Sequence, residues 1–307
     1  MQSTVKIIAD SINPDNIRIT SILAEVPRYI LAEINTHRAF SRNSASSRAI
    51  PHKTMIDRII KDPFVPSKWM KNHPGMQGTE YFNKSEIIDL NLEYNWLQAR
   101  DYALSIAENL NNVNLTKQIT NRLLEPFMMH RILITATEWE NFFALRAEDG
   151  ADIHFQEFAY EILKQMNDNT PKSINWGEWH IPFGNDLDIV RLTKLHDKIY
   201  PTISIGYENP GTINDLEIKI ATARCARTSY INNEGKDDYE ADIKLHDGLL
   251  SRGHMSPFEH CAMADPGDKS TEQYKLSNFH PSWLQYRKTI NNENRSEPRL
   301  IQKTYNK

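Results

Sequence analysis

A chain of 307 residues that is 39% hydrophobic and 25% charged can bury a full core, enough for one large domain or two small ones, and its composition excludes a disordered or fibrous class. A formal net charge of -4 argues against a protein whose main work is coating nucleic acid, while leaving room for the local basic patch that one phosphate needs. Two cysteines, Cys225 and Cys261, make neither a disulfide framework nor a CxxC zinc site, and no apolar run is long enough to span a bilayer; the expectation is a soluble protein of a reducing cytoplasm, without a metal site.

In chain order, 5–8 and 17–26 read as strands, the second with Ile17, Ile19, Ser21 and Leu23 on one face and Asn13-Pro14-Asp15 as the turn before it. Pro27 suits a first helical turn, so 28–35 reads as a short helix. It delivers the run Thr36-His37-Arg38-Ala39-Phe40-Ser41-Arg42-Asn43-Ser44-Ala45-Ser46-Ser47-Arg48, which is basic, rich in hydroxyls and free of acids. Arg forks of this kind match phosphate geometry, although a polar surface loop has the same composition.

The stretch 51–83 reads as an irregular surface excursion. Two long helices follow: Tyr94, Leu97, Tyr102 and Ile106 keep an approximate helical stripe, and 115–129 holds another segment around Arg122. The segment 135–146 leads into Phe155, Phe158, Ala159, Ile162, Leu163 and Met166, whose spacing predicts an amphipathic helix on the core. Residues 167–201, with Trp176, Trp179, His180, Pro182 and Gly184, read as an irregular connection. Helices are expected at 213–228 and 241–251, the latter closed by Gly253. Trp283, Tyr286 and Arg287 precede a charged, frayed end.

Gly253-His254-Met255-Ser256-Pro257-Phe258-Glu259-His260 groups polar side chains around a Pro turn. A metal site is disfavoured there, because inverzincins need His-x-x-Glu-His and no third ligand is apparent. A satisfied turn remains the plain alternative.

The pattern His-Arg-x-x-Ser-x-Asn-x-x-Ser-x-Arg at 37–48 resembles the signature of the flavin-dependent thymidylate synthases (the ThyX family), Arg-His-Arg-x-x-Ser-x-Asn-Glu-x-Ser-x-Arg, with Thr36 in place of the first Arg and Ser44 in place of Glu. Residues 253–260 are similar to that family's Gly-His-x-Thr/Ser-Pro-x-Glu-His. Ala223-Arg224-Cys225-Ala226-Arg227-Thr228-Ser229 resembles its Ala-Ala-Arg-x-Ser. Asn121-Arg122-Leu123-Leu124-Glu125-Pro126 and Asn141-Phe142-Phe143-Ala144-Leu145-Arg146 resemble Ala-Arg-x-x-Leu-Pro and Asn-Phe-Leu-x-Leu-Arg. In the family the Gly-His stretch precedes the Arg-His-Arg loop, so the resemblance implies a circularly permuted arrangement like that of longer bacteriophage versions, acting in a host cytoplasm.

The resemblance implies an α+β fold with a mixed or antiparallel sheet packed with long helices. It also implies one domain over 1–307, in which 1–166 holds the signature loop and the helices, 167–201 is the connection, and 202–307 is the permuted flavin segment with the tail. It implies C5 methylation of dUMP to dTMP, with FAD as cofactor and NADPH and methylenetetrahydrofolate as co-substrates. His37, Arg38, Asn43, Asn141, Ser229, His254, Ser256 and Glu259 would line the flavin. Glu33, Ser46, Ser47, Arg48, Arg122 and Arg146 would bind the nucleotide, with Arg146 and Ser46 catalytic and Arg122 supplied by another subunit of a homotetramer. No nucleic acid polymer or membrane partner is implied. Further departures, Glu33 for Gln, Ser47 for Gly and Ala49 for Tyr, leave open a related outcome: hydroxymethylation of dUMP or dCMP, or a non-catalytic nucleotide- or flavin-binding protein of the same fold. Neither cysteine falls in a motif as a nucleophile, so both read as buried packing residues.

Overall fold

The computed structural model describes residues 3–74, 78, 80–200, 211–228, 237–267, 277–291 and 293. Its centre is a five-stranded mixed sheet, order β3-β4-β2-β1-β5. The strands are β1 (Thr4–Ile12), β2 (Arg18–Pro27), β3 (Ser41–Ser44), β4 (Met129–Ala136) and β5 (Lys172–Ser173). All neighbours are antiparallel except β1 and β5. A smaller sheet, β6-β7-β8, is built from Trp179–His180, Ala262–Ala264 and Trp283–Gln285. The class is α+β, as expected.

Both faces of β2 and β4 are covered. On one face Ile22, Ala24 and Val26, with Ile132 and Ile134, meet Phe155, Phe158, Ala159 and Ile162 of the helix Ile153–Asp168. That helix carries the predicted apolar stripe, and Asp152 caps it by accepting from the His154 and Phe155 amides. Each fully buried Val, Ile or Phe among them contributes about 1.5–3 kcal/mol of transfer free energy. The other face presents Ile19 to Trp283 and Ala262 of the small sheet, and it also buries hydroxyls. Ser11, His180, Ser21, Thr135 and His260 form one hydrogen-bonded chain with steps of 2.6–3.0 Å. Buried polar groups satisfied in series are less costly than the same groups left apart.

Several expectations are corrected. The segment Met129–Ala136 is a strand; because it is central and buries both faces over Ile132–Ala136, no apolar/polar alternation marks it in the sequence. Within 51–83, His52–Lys61 is a helix that buries Met55, Ile56 and Ile59 against Leu104 and Phe127. Ile189–Ile199 is a third missed element, a helix capped by Asp188 that buries Leu192 and Leu195. On the helix Leu92–Asn112 the buried residues are Leu104 and Ala107, whereas Tyr94, Tyr102 and Ile106 of the anticipated stripe are exposed. The segment after Pro27 is a 3-10 turn, Arg28–Ile30, followed by a single α-turn, Leu31–Ile34, in place of one continuous helix. Beyond Thr120 the chain around Arg122 is a 3-10 helix, Asn121–Phe127.

The helices Ile213–Arg227 and Tyr239–Ser251 form where expected. The second ends in a Schellman cap: Gly253 N donates to Leu250 O and His254 N to Leu249 O, with Gly253 at φ +72°. The end beyond residue 293 lies outside the described residues.

Candidate active site

Residues 36–40 turn tightly between Leu31–Ile34 and β3. His37 N donates to Ile34 O at 3.3 Å and Phe40 N to His37 O at 3.2 Å. Arg42 reaches back from β3 and donates through Nη1 to the carbonyls of Ile34 and His37, both at 3.0 Å. That guanidinium is therefore a brace for the loop. Burial lowers its pKa, against the pull of the Glu259 carboxylate. Phe40 packs inward on Trp139 and Phe142, with ring centroids 4.7 and 5.1 Å away. Arg38 stays exposed.

Facing this turn is the helix Glu140–Arg146, and between the two lies a cavity of about 650 Å³. His37, Arg38, Asn141 and Arg146, four of the residues expected from the sequence, line it together with Glu138, Trp139, Glu140 and Phe142. The size falls within the ~300–1,000 Å³ usual for small-molecule and cofactor sites.

Arg146 Nε donates to His37 Nε2 at 3.2 Å, so that ring nitrogen is unprotonated and the neutral ring carries its proton on Nδ1. The Arg146 guanidinium also sits 4.7 Å from the Phe155 ring centroid. Burial, then Arg146 and Arg42, brings the His37 pKa down to about 4. At neutral pH the cavity therefore presents a neutral imidazole beside a fixed cation. Such a pair can stabilise developing negative charge and donate a hydrogen bond, but it supplies no imidazolium acid.

The second motif reaches the same region from the far end of the chain. The Schellman cap turns the backbone into the 3-10 turn Ser256–Glu259, which packs against β3. His254 and Ser256 are exposed. Glu259 is ion-paired with Arg287. Asn43 is buried and donates to Cys225 O at 3.3 Å. Neither His254, Ser256, Glu259 nor Asn43 lines the cavity. Ser229 lies outside the described residues.

The remaining candidates form a separate group. Asn121 Nδ2 donates to Ser47 O and Ile50 O, Ser47 Oγ donates to Glu125, and Arg28 bonds both Glu125 and Ala45 O. The loop carrying Ser46, Ser47 and Arg48 is thus clamped by the segment carrying Arg122 in the same chain. Arg48 and Arg122 are both exposed, and Glu33 is exposed on Leu31–Ile34. The cavity residues that lie outside the motifs are Thr137, Glu138, Trp139 and Glu140; their only signal was adjacency in the chain to Asn141.

Among the described residues no group of three or more His, Cys, Asp or Glu is arranged to hold a metal ion, and no helix is long and apolar enough to cross a membrane. Cys225 and Cys261 are both buried, and burial raises both thiols, Cys261 to about 12.

The sequence matches no family model and no curated protein. Among solved structures the chain is similar to a UMP/dUMP methylase PolB from Streptomyces cacaoi bound with 5-Br UMP, at 12% identity, covering 54% of this chain and 89% of that one with a TM-score of 0.45. A likeness that distant carries no argument about what this chain does.

Proposed function

We propose that the protein is a flavin-dependent thymidylate synthase of permuted motif order, methylating dUMP at C5. The observation that carries the reading is the convergence of separate motif segments. His37 and Arg38 share one cavity with Asn141 and Arg146, and 254–260 packs on the strand that leaves the loop, more than two hundred residues along the chain.

The cavity fits an aromatic ligand with both donor and acceptor edges, since its wall carries two carboxylates, Glu138 and Glu140, as well as two guanidinium groups. Arg38 and Arg146 supply positive charge, and Phe40, Trp139 and Phe142 supply an apolar wall. Arg146 would grip the pyrimidine, where its guanidinium offsets negative charge developing on the ring carbonyls. His37, neutral and oriented by Arg146, would donate its Nδ1 proton to a ligand acceptor. Arg38 and Asn141 would complete the flavin side, with His254, Ser256, Glu259, Asn43 and Ser229 at its periphery. Ser46 and Arg48, helped by Arg122, would hold the nucleotide, its phosphate most directly; Ser47, whose hydroxyl donates to Glu125, would support that loop, and Glu33 would contact the nucleotide away from its phosphate. Their separation from the cavity within one chain is in keeping with sites shared between subunits of a homotetramer.

When bound, FAD would supply the hydride chemistry, with NADPH as reductant and methylenetetrahydrofolate as carbon donor. Both thiols are buried and pushed to high pKa, which supports a route without an enzyme thiolate. The test is anaerobic incubation with FAD, NADPH, methylenetetrahydrofolate and dUMP, reading products by mass. dTMP is expected; unchanged dUMP alongside NADPH oxidation would refute the reading.

A further inference from the structure

Gln285 belongs to none of the motif segments, yet its side chain lies where they meet. It is 2% exposed, and its amide nitrogen is 3.0 Å from each of three acceptors: Ser41 Oγ at the start of β3, Glu259 O in the C-terminal motif, and Asn278 Oδ1 in the tail. Ser41 lies more than two hundred residues before the other two in the chain. An amide has two N–H donors, so the three acceptors share them and neither donor is left unpaired.

The bonds continue outward on both sides. Asn278 Nδ2 donates to Ser41 Oγ at 3.1 Å and to Ala39 O at 3.4 Å, and Ala39 belongs to the cavity wall. On the other side Arg287, two residues beyond Gln285, pairs with the Glu259 carboxylate. One buried amide therefore ties the backbone of the cavity turn to the backbone of the 254–260 segment.

We infer that Gln285 is a positioning residue that couples the two halves of the candidate site, so that the turn bearing His37 and Arg38 and the turn bearing Glu259 are held in register by one side chain. It touches no ligand-facing surface of the cavity; it acts through Ser41, Asn278 and Glu259. A buried donor pair shared among three acceptors is suited to this, because removing it takes the Gln285 donor from Glu259 O and leaves Ser41 and Asn278 bonded only to each other and to Ala39 O, so the link between the two segments is cut. The functional side of the inference rests on the flavoenzyme reading above, whereas the coupling itself does not.

The test uses the full chain with Gln285→Met, which keeps length but removes both donors, and Gln285→Glu, which keeps shape and polarity but offers at most the one O–H donor of a protonated carboxyl. Ile162→Val, in the core on the opposite face of the sheet, serves as a control for general destabilisation. Amide hydrogen exchange read by mass should rise about tenfold or more in 36–44 and in 254–260 together in both Gln285 variants, with 153–168 unchanged. Free FAD, the probe for the functional arm, should bind about tenfold more weakly to both variants than to the parent, and Ile162→Val should bind it as the parent does. Exchange that rises in only one segment, or a Gln285→Met variant that exchanges like the parent, overturns the coupling. Coupling lost with FAD affinity unchanged overturns the positioning role. If the parent chain takes up no FAD, the flavoenzyme reading and with it the functional role fall, while the exchange result still decides the coupling.

Discussion

Mild acid should unfold this protein through histidines that the folded state holds neutral. Burial is the leading cause for four of them: His37 is brought down to about 4, and His130, His180 and His260 to about 3. The neighbouring Arg146 and Arg42 add to the effect at His37, Arg28 at His130, and His180 at His260. At His130 and His260 the Nε2 atom has no partner among the described residues, so a proton added there would place an unpaired N–H in the core. Unfolded, all four would titrate near the ordinary value of about 6.5. Between about pH 6.5 and 4 the unfolded chain therefore binds more protons than the folded one, and stability rises with pH and falls as the solution is acidified.

Each group contributes at most about 1.4 kcal/mol per pH unit, so four together approach about 5 kcal/mol per unit. Lowering the pH from about 7 to 5.5 removes about 1.2 kcal/mol per group, about 5 in all, which is comparable with the whole stability of an ordinary domain. Urea unfolding followed by circular dichroism across this range measures the slope directly, and His130→Gln should lower it by about one proton. A loss below about 1.5 kcal/mol over that interval, one proton's worth, would refute the buried-neutral assignment.

Three further substitutions probe the site and its supports. Arg146→Ala removes the bond to His37 Nε2, so the His37 pKa should rise from about 4 when followed by NMR, and nucleotide binding should weaken about tenfold to a hundredfold. Arg42→Leu removes two charge-assisted bonds, leaving the Ile34 and His37 carbonyls with only the His37 and Phe40 amides, with an expected cost of about 1–3 kcal/mol in urea unfolding; no change would mean the brace is idle. Gly253→Ala should cost about 1 kcal/mol through its φ of +72° alone, since an added Cβ meets nothing within 4 Å; Gly253→Asn should recover most of that loss.

What can be read from the sequence follows local physics. The Phe155 to Met166 stripe, the Gly253 cap and the Pro27 boundary are fixed by neighbours in the chain, and they appear close to where periodicity and turn chemistry put them. Met129–Ala136 is hidden because it lies between β3 and β2 and buries both faces, which erases alternation. On Leu92–Asn112 the apolar residues point to a helix but not to its buried face: small Ala107 and Leu104 make the contact while Tyr94 and Tyr102 face out. The site divides in the same way. His37, Arg38, Asn141 and Arg146 can be found by resemblance and come together in space, whereas Gln285 owes its position to contacts with the distant Ser41 and Glu259. No local pattern marks such residues.

If the cavity between residues 36–40 and Glu140–Arg146 turns dUMP into dTMP with bound flavin, one turnover is enough to see it. The most direct measurement is a single-turnover reaction of the purified protein, reduced anaerobically with FAD and supplied with methylenetetrahydrofolate and dUMP, with the nucleotide analysed by mass and the same reaction run on Arg146→Ala. The expected result is dTMP from the parent protein and little or none from the variant. A parent protein that binds flavin yet returns dUMP unchanged, or an Arg146→Ala variant as active as the parent, would contradict the proposed function.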